Sequence, residues 1–353
     1  MHNNLTPVKI AGGGIAGLAA AMYLRKKNFK VVVYEKESKI GNSRHGDFEG
    51  IENWIFSNSI QNLFNVIGFS QNQISLTPVK KFLVHSANDK PLKIKSESHF
   101  FNLVSRGSKS NDLDSQLYEQ CLSAGVQFKF GKKAPSDSSI IATGTRKASA
   151  YIYGMNFKTK SDNQIHLFLG RRFAPKGYAY LIIQNGKGTI ATAFKKNHES
   201  NQDLLKNCMD ELRKLDIDIY KSKAFGSRGS FILPLGFKNK PPFLIGEAGG
   251  FQDYLFGFGM KISMISGLAA GMYLAGKKSH SKSLFSDLNK KRKISFINRI
   301  LYERLNDRQM HVFAKKFSTS DDPLKLLSSA YQWKFKTLLR WINFKNKYEV
   351  RTT

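Results

Sequence analysis

The stretch VKIAGGGIAGLAAAMYLRKKNFKVVVYEK, Val8–Lys36, decides how the rest of the chain reads. Two apolar runs flank a crowd of glycines, and Glu35 closes the second run. Val8–Ala11 reads as a short buried strand, Ile15–Lys26 as a helix and Lys30–Tyr34 as the next parallel strand. Between the first two lies Gly12-x-Gly14-x-x-Gly17. In such a unit the first glycine permits the tight turn and the second lets the backbone approach a pyrophosphate. The third lets the helix pack close to the sheet. The free N–H groups at the helix start, around Ile15 and Ala16, then face the diphosphate together with the positive end of the helix dipole. Glu35 stands about twenty residues on, where a carboxylate accepts ribose hydroxyls, with Lys36 beside it. The apolar core of a signal peptide would share the composition. It would not share the glycine spacing or the acid-terminated strand that follows.

The 353 residues suffice for two moderate domains or one interleaved enzyme with a large core. A content of 41% hydrophobic residues with 28 Gly and only 9 Pro excludes wholesale disorder. Cys121 and Cys208 provide neither a disulfide framework nor a metal-ligand spacing, so no metal is expected and a reducing cytoplasm fits. Charge is the unusual feature: 56 Lys+Arg against 26 Asp+Glu leave a net +30. That excess favours anionic lipid, nucleic acid or an acidic partner. It is spread along the whole chain, however, and a general bias toward Lys explains it equally well. No nucleic-acid motif accompanies it, so nucleic acid ranks last among these partners. No run reaches the roughly 18–20 apolar residues of a membrane span; Met264–Gly276 comes nearest. A cytoplasmic protein is expected, with peripheral membrane contact as an open alternative.

A second glycine cluster lies far downstream in PPFLIGEAGGFQDYLFGFGMKISMISGLAAGMYLAG, Pro241–Gly276. Phe243–Ile245 reads as a strand and Gly246-Glu247-Ala248-Gly249 as a turn carrying one carboxylate. Gly257-Phe258-Gly259 then opens a long helix of small residues. This order resembles the flavin-closing segment of the p-hydroxybenzoate-hydroxylase-like flavoproteins. It is most similar to their geranylgeranyl reductase branch, whose pattern is GDAAG, a spacer with Pro, GxG, and a helix containing SG and AA. Ser266-Gly267 and Ala269-Ala270 match that helix. The resemblance implies FAD as cofactor, with Glu247 on the ribityl chain or diphosphate. It also implies that Gly257, Gly259 and Met260 face the flavin pyrimidine, where a helix N-terminus stabilises negative charge. Glu247 replaces the family's Asp, and Tyr254 stands where the family has Pro, at the front face of the flavin, where the resemblance implies a substrate-facing residue.

The middle of the chain carries fainter marks of the same resemblance. Arg106, ahead of the helix beginning at Leu113, matches an Arg that approaches FAD in relatives; an ordinary surface Arg is the alternative. Ile140–Thr145 reads as a strand and turn beneath the cofactor, with Thr143 in place of the hydroxylases' Asp. The segment around Tyr178 and Tyr180, the turn QNGKG and the strand TIATAF form a hairpin pattern. It is similar to the substrate-facing YxWxFP strand of geranylgeranyl reductases, although both tyrosines also suit a plain core face. SRHGDFEGIENW, Ser43–Trp54, falls where relatives bend back over the flavin. There Arg44 is a candidate ligand of FAD phosphate or ribityl oxygens and His45 a candidate proton donor.

These readings give an α/β fold. A Rossmann-like FAD-binding domain (residues 1–75, 100–150 and 240–280) is interleaved with an antiparallel-sheet substrate domain (76–99 and 151–239). A helical region, 281–353, follows. Within it Ile294, Ile297, Leu301 and Leu305 recur on one face, and Leu324–Phe344 reads as a basic amphipathic helix that either packs on the body or lies in a membrane interface. The expected activity is an FAD-dependent oxidoreductase that reduces a double bond of an apolar, isoprenoid-like substrate. Its electrons would come from NAD(P)H or a ferredoxin-like donor. A flavin monooxygenase or halogenase on the same scaffold is the first alternative, and a basic flavin-containing binding protein the second.

Overall fold

The opening strand, turn and helix take form in the computed structural model within a parallel sheet. The structure describes residues 6–86, 90–145, 148–195, 201–235, 238, 240–345 and 350–352. In chain order the first elements are β1 (Val8–Ala11), α1 (Ile15–Lys26), β2 (Val31–Glu35), β3 (Phe48–Glu52), α2 (Ile60–Ile67), β4 (Thr77–Val79) and β5 (Lys81–His85). Then come β6 (Leu92–Lys95), β7 (Phe101–Ser105), α3 (Leu113–Ser123), β8 (Gln127–Phe130), β9 (Ile140–Ile141) and β10 (Ala150–Lys158). They are followed by β11 (Gln164–Phe168), β12 (Tyr178–Gln184), β13 (Lys187–Lys195), α4 (Asn201–Lys214), β14 (Tyr220–Gly229), β15 (Leu233–Leu235) and β16 (Phe243–Leu244). The last are α5 (Met260–Leu274), α6 (Lys278–Tyr302), α7 (Asp307–Ser318), α8 (Pro323–Ser329), α9 (Phe335–Lys345) and β17 (Val350–Thr352).

Five strands form a parallel sheet in the order β16-β9-β1-β2-β8, with Val8 opposite Val31 and Ala11 opposite Tyr34. Strands of such a sheet are covered on both faces and read as unbroken apolar runs; Val31, Val32 and Val33 are all buried. Helix α1 is buried from Ile15 to Leu24, which its all-round apolar sequence requires. It packs directly on α5 through small residues. A Cβ at Gly267 would lie 2.2 Å from the Ala16 carbonyl, and one at Gly271 would lie 3.0 Å from the Tyr23 ring. These contacts advance in the same direction along both helices. The two therefore run parallel and direct their N-termini the same way.

Seven strands form a second sheet, β14-β10-β13-β12-β11-β5-β6. The hairpin turn between β12 and β13 falls at Asn185 and Gly186, with φ of 51° and 73°, the pair of positive angles a two-residue turn of this hand requires. The expected all-antiparallel sheet is corrected at one place, where β5 and β11 pair in parallel. Strand β5 joins from a distant segment and not through a hairpin, so no tight turn imposes the antiparallel sense. Strand β4, inside the segment 76–99, pairs instead with β7 in a separate three-stranded sheet, β3-β7-β4. Helix α4 covers the seven-stranded sheet, setting Cys208 and Leu212 against Leu181 and Ile190. Both cysteines are free and buried, and burial pushes the Cys208 thiol up to about 12.

Helix α6 buries Ile294 and Ile297 as their spacing predicts, but it ends at Tyr302, before Leu305. The single helix expected over 324–344 is two helices, α8 and α9. Leu327 of α8 packs into the cluster under the large sheet, whereas Trp341 and Phe344 of α9 pack on Phe296 and Ile297 of α6. One straight helix could not serve both surfaces. Tyr331, between the two helices, is fully buried and donates its hydroxyl to Asp253 at 2.8 Å.

Candidate active site

The first turn is built by close backbone approach. Gly12 sits at φ 99°, and a Cβ there would lie 2.4 Å from the Ala142 carbonyl at the end of β9. A Cβ at Gly17 would lie 2.1 Å from the Gly12 carbonyl. Gly14 differs: no protein atom comes within 4 Å of where its Cβ would be. It is the N-cap of α1, offers no side-chain cap, and no acid occupies the first turn. The helix therefore presents its leading N–H groups to open space. Glu35 lies beside the turn and outside the cavity wall, its carboxylate accepting from the Gly13 N–H at 2.8 Å and the Glu37 N–H at 2.9 Å. Lys36 turns to solvent and pairs with Glu37, so it does not contribute to the cavity wall.

The downstream cluster forms the matching end. Gly246, at φ 58°, donates its N–H to Ser266 of α5 at 2.9 Å and starts the short turn that bears Glu247. Gly257 takes φ 77°, and Gly259 caps α5, again without a side-chain cap and without an acid in the first turn. Gly14, Ile15 and Ala16 share one cavity wall with Glu247, Gly257, Gly259 and Met260. The cavity volume is about 390 Å³. Two parallel helices thus aim uncapped N-termini into one space.

Asp253 holds the loop between those glycines. It is fully buried and accepts from the N–H of Leu255 at 3.2 Å and of Phe256 at 2.9 Å, from Ser295 of α6 at 2.6 Å and from Tyr331. Tyr254, expected at the front of the flavin, is corrected by this arrangement. Its ring packs edge-on against Phe296, and its hydroxyl donates to the Gly250 carbonyl at 2.9 Å, away from the cavity wall. Asp253 turns the loop tightly enough to send the next side chain into the core.

Between the two ends lies the charged segment Ser43–Trp54. Arg106 enters it from β7, fully sealed, with Nε and Nη2 donating to Asp114 at 2.7 and 2.8 Å and Nη1 to Glu49 at 2.9 Å. Burial disfavours the cation, but the two carboxylates outweigh it and its pKa is raised. The surface alternative for Arg106 is thereby corrected, and its guanidinium organises acids at the cavity edge. Arg44 reaches the other oxygen of Glu49 at 3.6 Å. His45 is exposed, stacks on Phe225, and shares a 3.1 Å hydrogen bond with the Gly226 carbonyl. Lys187 donates to the Gly46 carbonyl and Asn156 to the His45 carbonyl, pinning this segment beneath the large sheet.

Asp47 is the residue the sequence leaves unassigned. It is only 7% exposed, belongs to the cavity wall, and its Oδ1 has no hydrogen-bond partner among the described residues. Burial, then the neighbouring Glu49 charge, raises its pKa despite Arg44 and Arg106. Only its place among three distant segments distinguishes it, and no local motif marks that.

Beyond Asp47 the wall becomes apolar. Tyr178 and Tyr180 of β12 both line the cavity, and Tyr178 donates its hydroxyl to the Phe256 carbonyl. Burial raises both phenols above their ordinary range and keeps them protonated. Phe82, Ile94 and Leu167 from the sheet and Phe313, Phe317 and Leu327 from α7 and α8 enclose the far end.

Residues 10–70 match the model of an NAD(P)-binding Rossmann-like domain. No curated protein sequence matches the chain. Among solved structures, a geranylgeranyl bacteriochlorophyll reductase-like protein from Thermoplasma acidophilum superposes with a TM-score of 0.69 at 17% identity, covering 97% of this chain and 96% of that one. The flavin-dependent brominase Bmp2 gives 0.64 at 16% identity, over 96% and 98%. The p-nitrophenol 4-monooxygenase PnpA from Pseudomonas putida gives 0.58 at 12%, over 96% and 98%. The chain has the fold of the flavin-dependent oxidoreductases, with a Rossmann-like parallel sheet, a separate large sheet and C-terminal helices.

Proposed function

We propose that this chain is an FAD-dependent oxidoreductase that reduces a double bond of an apolar, isoprenoid-type substrate. The observation that carries the cofactor is the pair of uncapped helix N-termini, at Gly14 and Gly259, opening on one cavity with no acid in either first turn. Such termini bind anions, and FAD brings two suitable centres, a diphosphate and an electron-rich ring. Ile15 and Ala16 would hold the diphosphate, Glu35 the ribose hydroxyls, Arg44 and Glu247 the polar chain, and Met260 the ring. Once reduced by NAD(P)H or a ferredoxin-like donor, bound flavin would supply the hydride for a carbon of the substrate.

The chain's own part is to orient the substrate, exclude water and deliver the proton. The aromatic and aliphatic far end, enclosed by β5, β6, β11, α7 and α8, suits a chain of carbon atoms and offers it little to hydrogen-bond. Asp47 carries the proton on its carboxyl and releases it to the substrate carbon adjacent to the one reduced. Residues 1–75, 100–150 and 240–280 would serve as the FAD-binding domain, and 76–99 with 151–239 as the substrate domain.

Heating the purified protein and identifying the released flavin tests the cofactor. A colourless protein that FAD does not reconstitute overturns the assignment. Anaerobic incubation of the reduced protein with an isoprenoid alkene tests the reaction, with saturated product expected. Turnover only when oxygen is admitted would instead select the monooxygenase or halogenase alternative. Repeating the reduction with NADH, NADPH or a reduced ferredoxin identifies the donor.

A further inference from the structure

Helix α9 is apolar on two faces, and the fold uses only one of them. Trp341 and Phe344 are buried against Phe296, Ile297 and Ile300 of α6. Phe335, Leu338, Leu339 and Ile342, spaced i, i+3, i+4 and i+7, form a second stripe that nothing covers among the described residues. Their exposures are 75%, 37%, 52% and 49%. A stripe of this spacing is a continuous apolar ridge, and an uncovered ridge with polar edges marks an interaction surface.

The charge around the ridge identifies its partner. Residues 323–345 contain Lys325, Lys334, Lys336, Arg340 and Lys345 and no Asp or Glu. Lys334, Lys336 and Arg340 are exposed at the start and along the sides of α9. A second copy of the chain would set these cations against their own kind, at a Coulombic cost. Nucleic acid would neutralise the cations but leave the ridge in water. An anionic bilayer interface satisfies both, because acyl chains take the ridge while lipid phosphates take the cations. No helix among the described residues is long and apolar enough to cross a membrane, so the contact lies in the interfacial plane.

We propose that α9 docks this protein on the surface of an anionic membrane through Phe335, Leu338, Leu339 and Ile342. Helix α8, just before it, puts Leu327 into the wall of the apolar cavity. The membrane-facing surface and the apolar end of the cavity thus belong to one C-terminal unit.

Co-sedimentation of the full chain with vesicles tests this. Binding is expected to phosphatidylcholine–phosphatidylglycerol vesicles but not to phosphatidylcholine alone, and it should weaken as salt rises. The double variant Phe335→Ser/Leu339→Ser should bind at least about tenfold more weakly, with circular dichroism unchanged because both side chains are exposed. The variant Phe335→Trp keeps the ridge apolar, and its added emission should move to the blue only with anionic vesicles. Wild-type protein that stays in the supernatant, or a double variant that binds as tightly as wild type, overturns the proposal. So does self-association that the double variant abolishes in the absence of any vesicle binding.

Discussion

Arg106 and Asp114 meet fork to fork, with Nε and Nη2 of the guanidinium at 2.7 and 2.8 Å from the two carboxylate oxygens and both side chains sealed from water. Removing one partner leaves the other charged and buried, so Asp114→Ala should lower stability by about 3–5 kcal/mol. Burial opposes ionisation of Asp114, yet the Arg106 charge and hydrogen bonds win and hold its carboxyl below the usual range. Its contribution is therefore complete above the unfolded value of about 3.9 and disappears as pH falls through the lower, folded value. Urea unfolding midpoints of wild type and Asp114→Ala should thus converge in acid. A gap that persists undiminished at the lowest pH would contradict this pairing.

Two glycines of the opening turn should fail in different ways. Gly17→Ala forces a methyl onto the Gly12 carbonyl and should unfold the protein or destabilise it by about 1–3 kcal/mol. Gly14→Ala meets no protein atom and keeps an ordinary extended φ of −72°, so it should fold at a cost of about 1 kcal/mol for the weaker cap. With the FAD diphosphate seated at α1 as proposed, it should nevertheless lose FAD, because the methyl would enter the cofactor's space. Thermal melts with flavin content per chain separate the two, and full flavin occupancy in Gly14→Ala would rule out a diphosphate at α1.

Asp47 and His45 make a second pair of contrasting variants. Asp47→Asn should lower kcat about 100-fold or more. With Asp47 as the proposed proton donor, the wild-type rate should fall as pH rises through its raised value and deprotonates it; the variant should lack that limb. His45, the proton donor the sequence suggests, lines the same cavity; with Asp47 as donor instead, His45→Ala should leave kcat near wild type. If the pH limb survives in Asp47→Asn, the proton comes from elsewhere.

Asp253 sets the path of the loop that ends at Gly259. Asp253→Asn places an N–H₂ among four donors and should cost about 1–3 kcal/mol. Tyr331→Phe removes one donor and should cost about 1 kcal/mol. Both are read from denaturant midpoints. Equal stability of Asp253→Asn and wild type would mean the carboxylate does not hold the loop.

Much of the scaffold is local in origin and so was readable from the residues alone. The bounds of β1 and α1 follow from apolar runs punctuated by glycine, and the Asn185-Gly186 turn from two residues that tolerate positive φ. The break between α8 and α9 was not readable, because the 324–344 pattern is uniformly amphipathic. What divides it is the demand of two separate cores for Leu327 and Trp341.

The sequence by itself determined that two glycine turns each open a helix, because turn sterics and helix dipoles are properties of a few adjacent residues. Only the tertiary structure decided that these helices run parallel into one cavity, through contacts such as Gly267 on Ala16. It also decided that Tyr254 turns into the core, that Arg106 is buried between acids, and that Asp47 joins the cavity wall. Burial and charge pairing depend on segments far apart in the chain, and no local pattern encodes them.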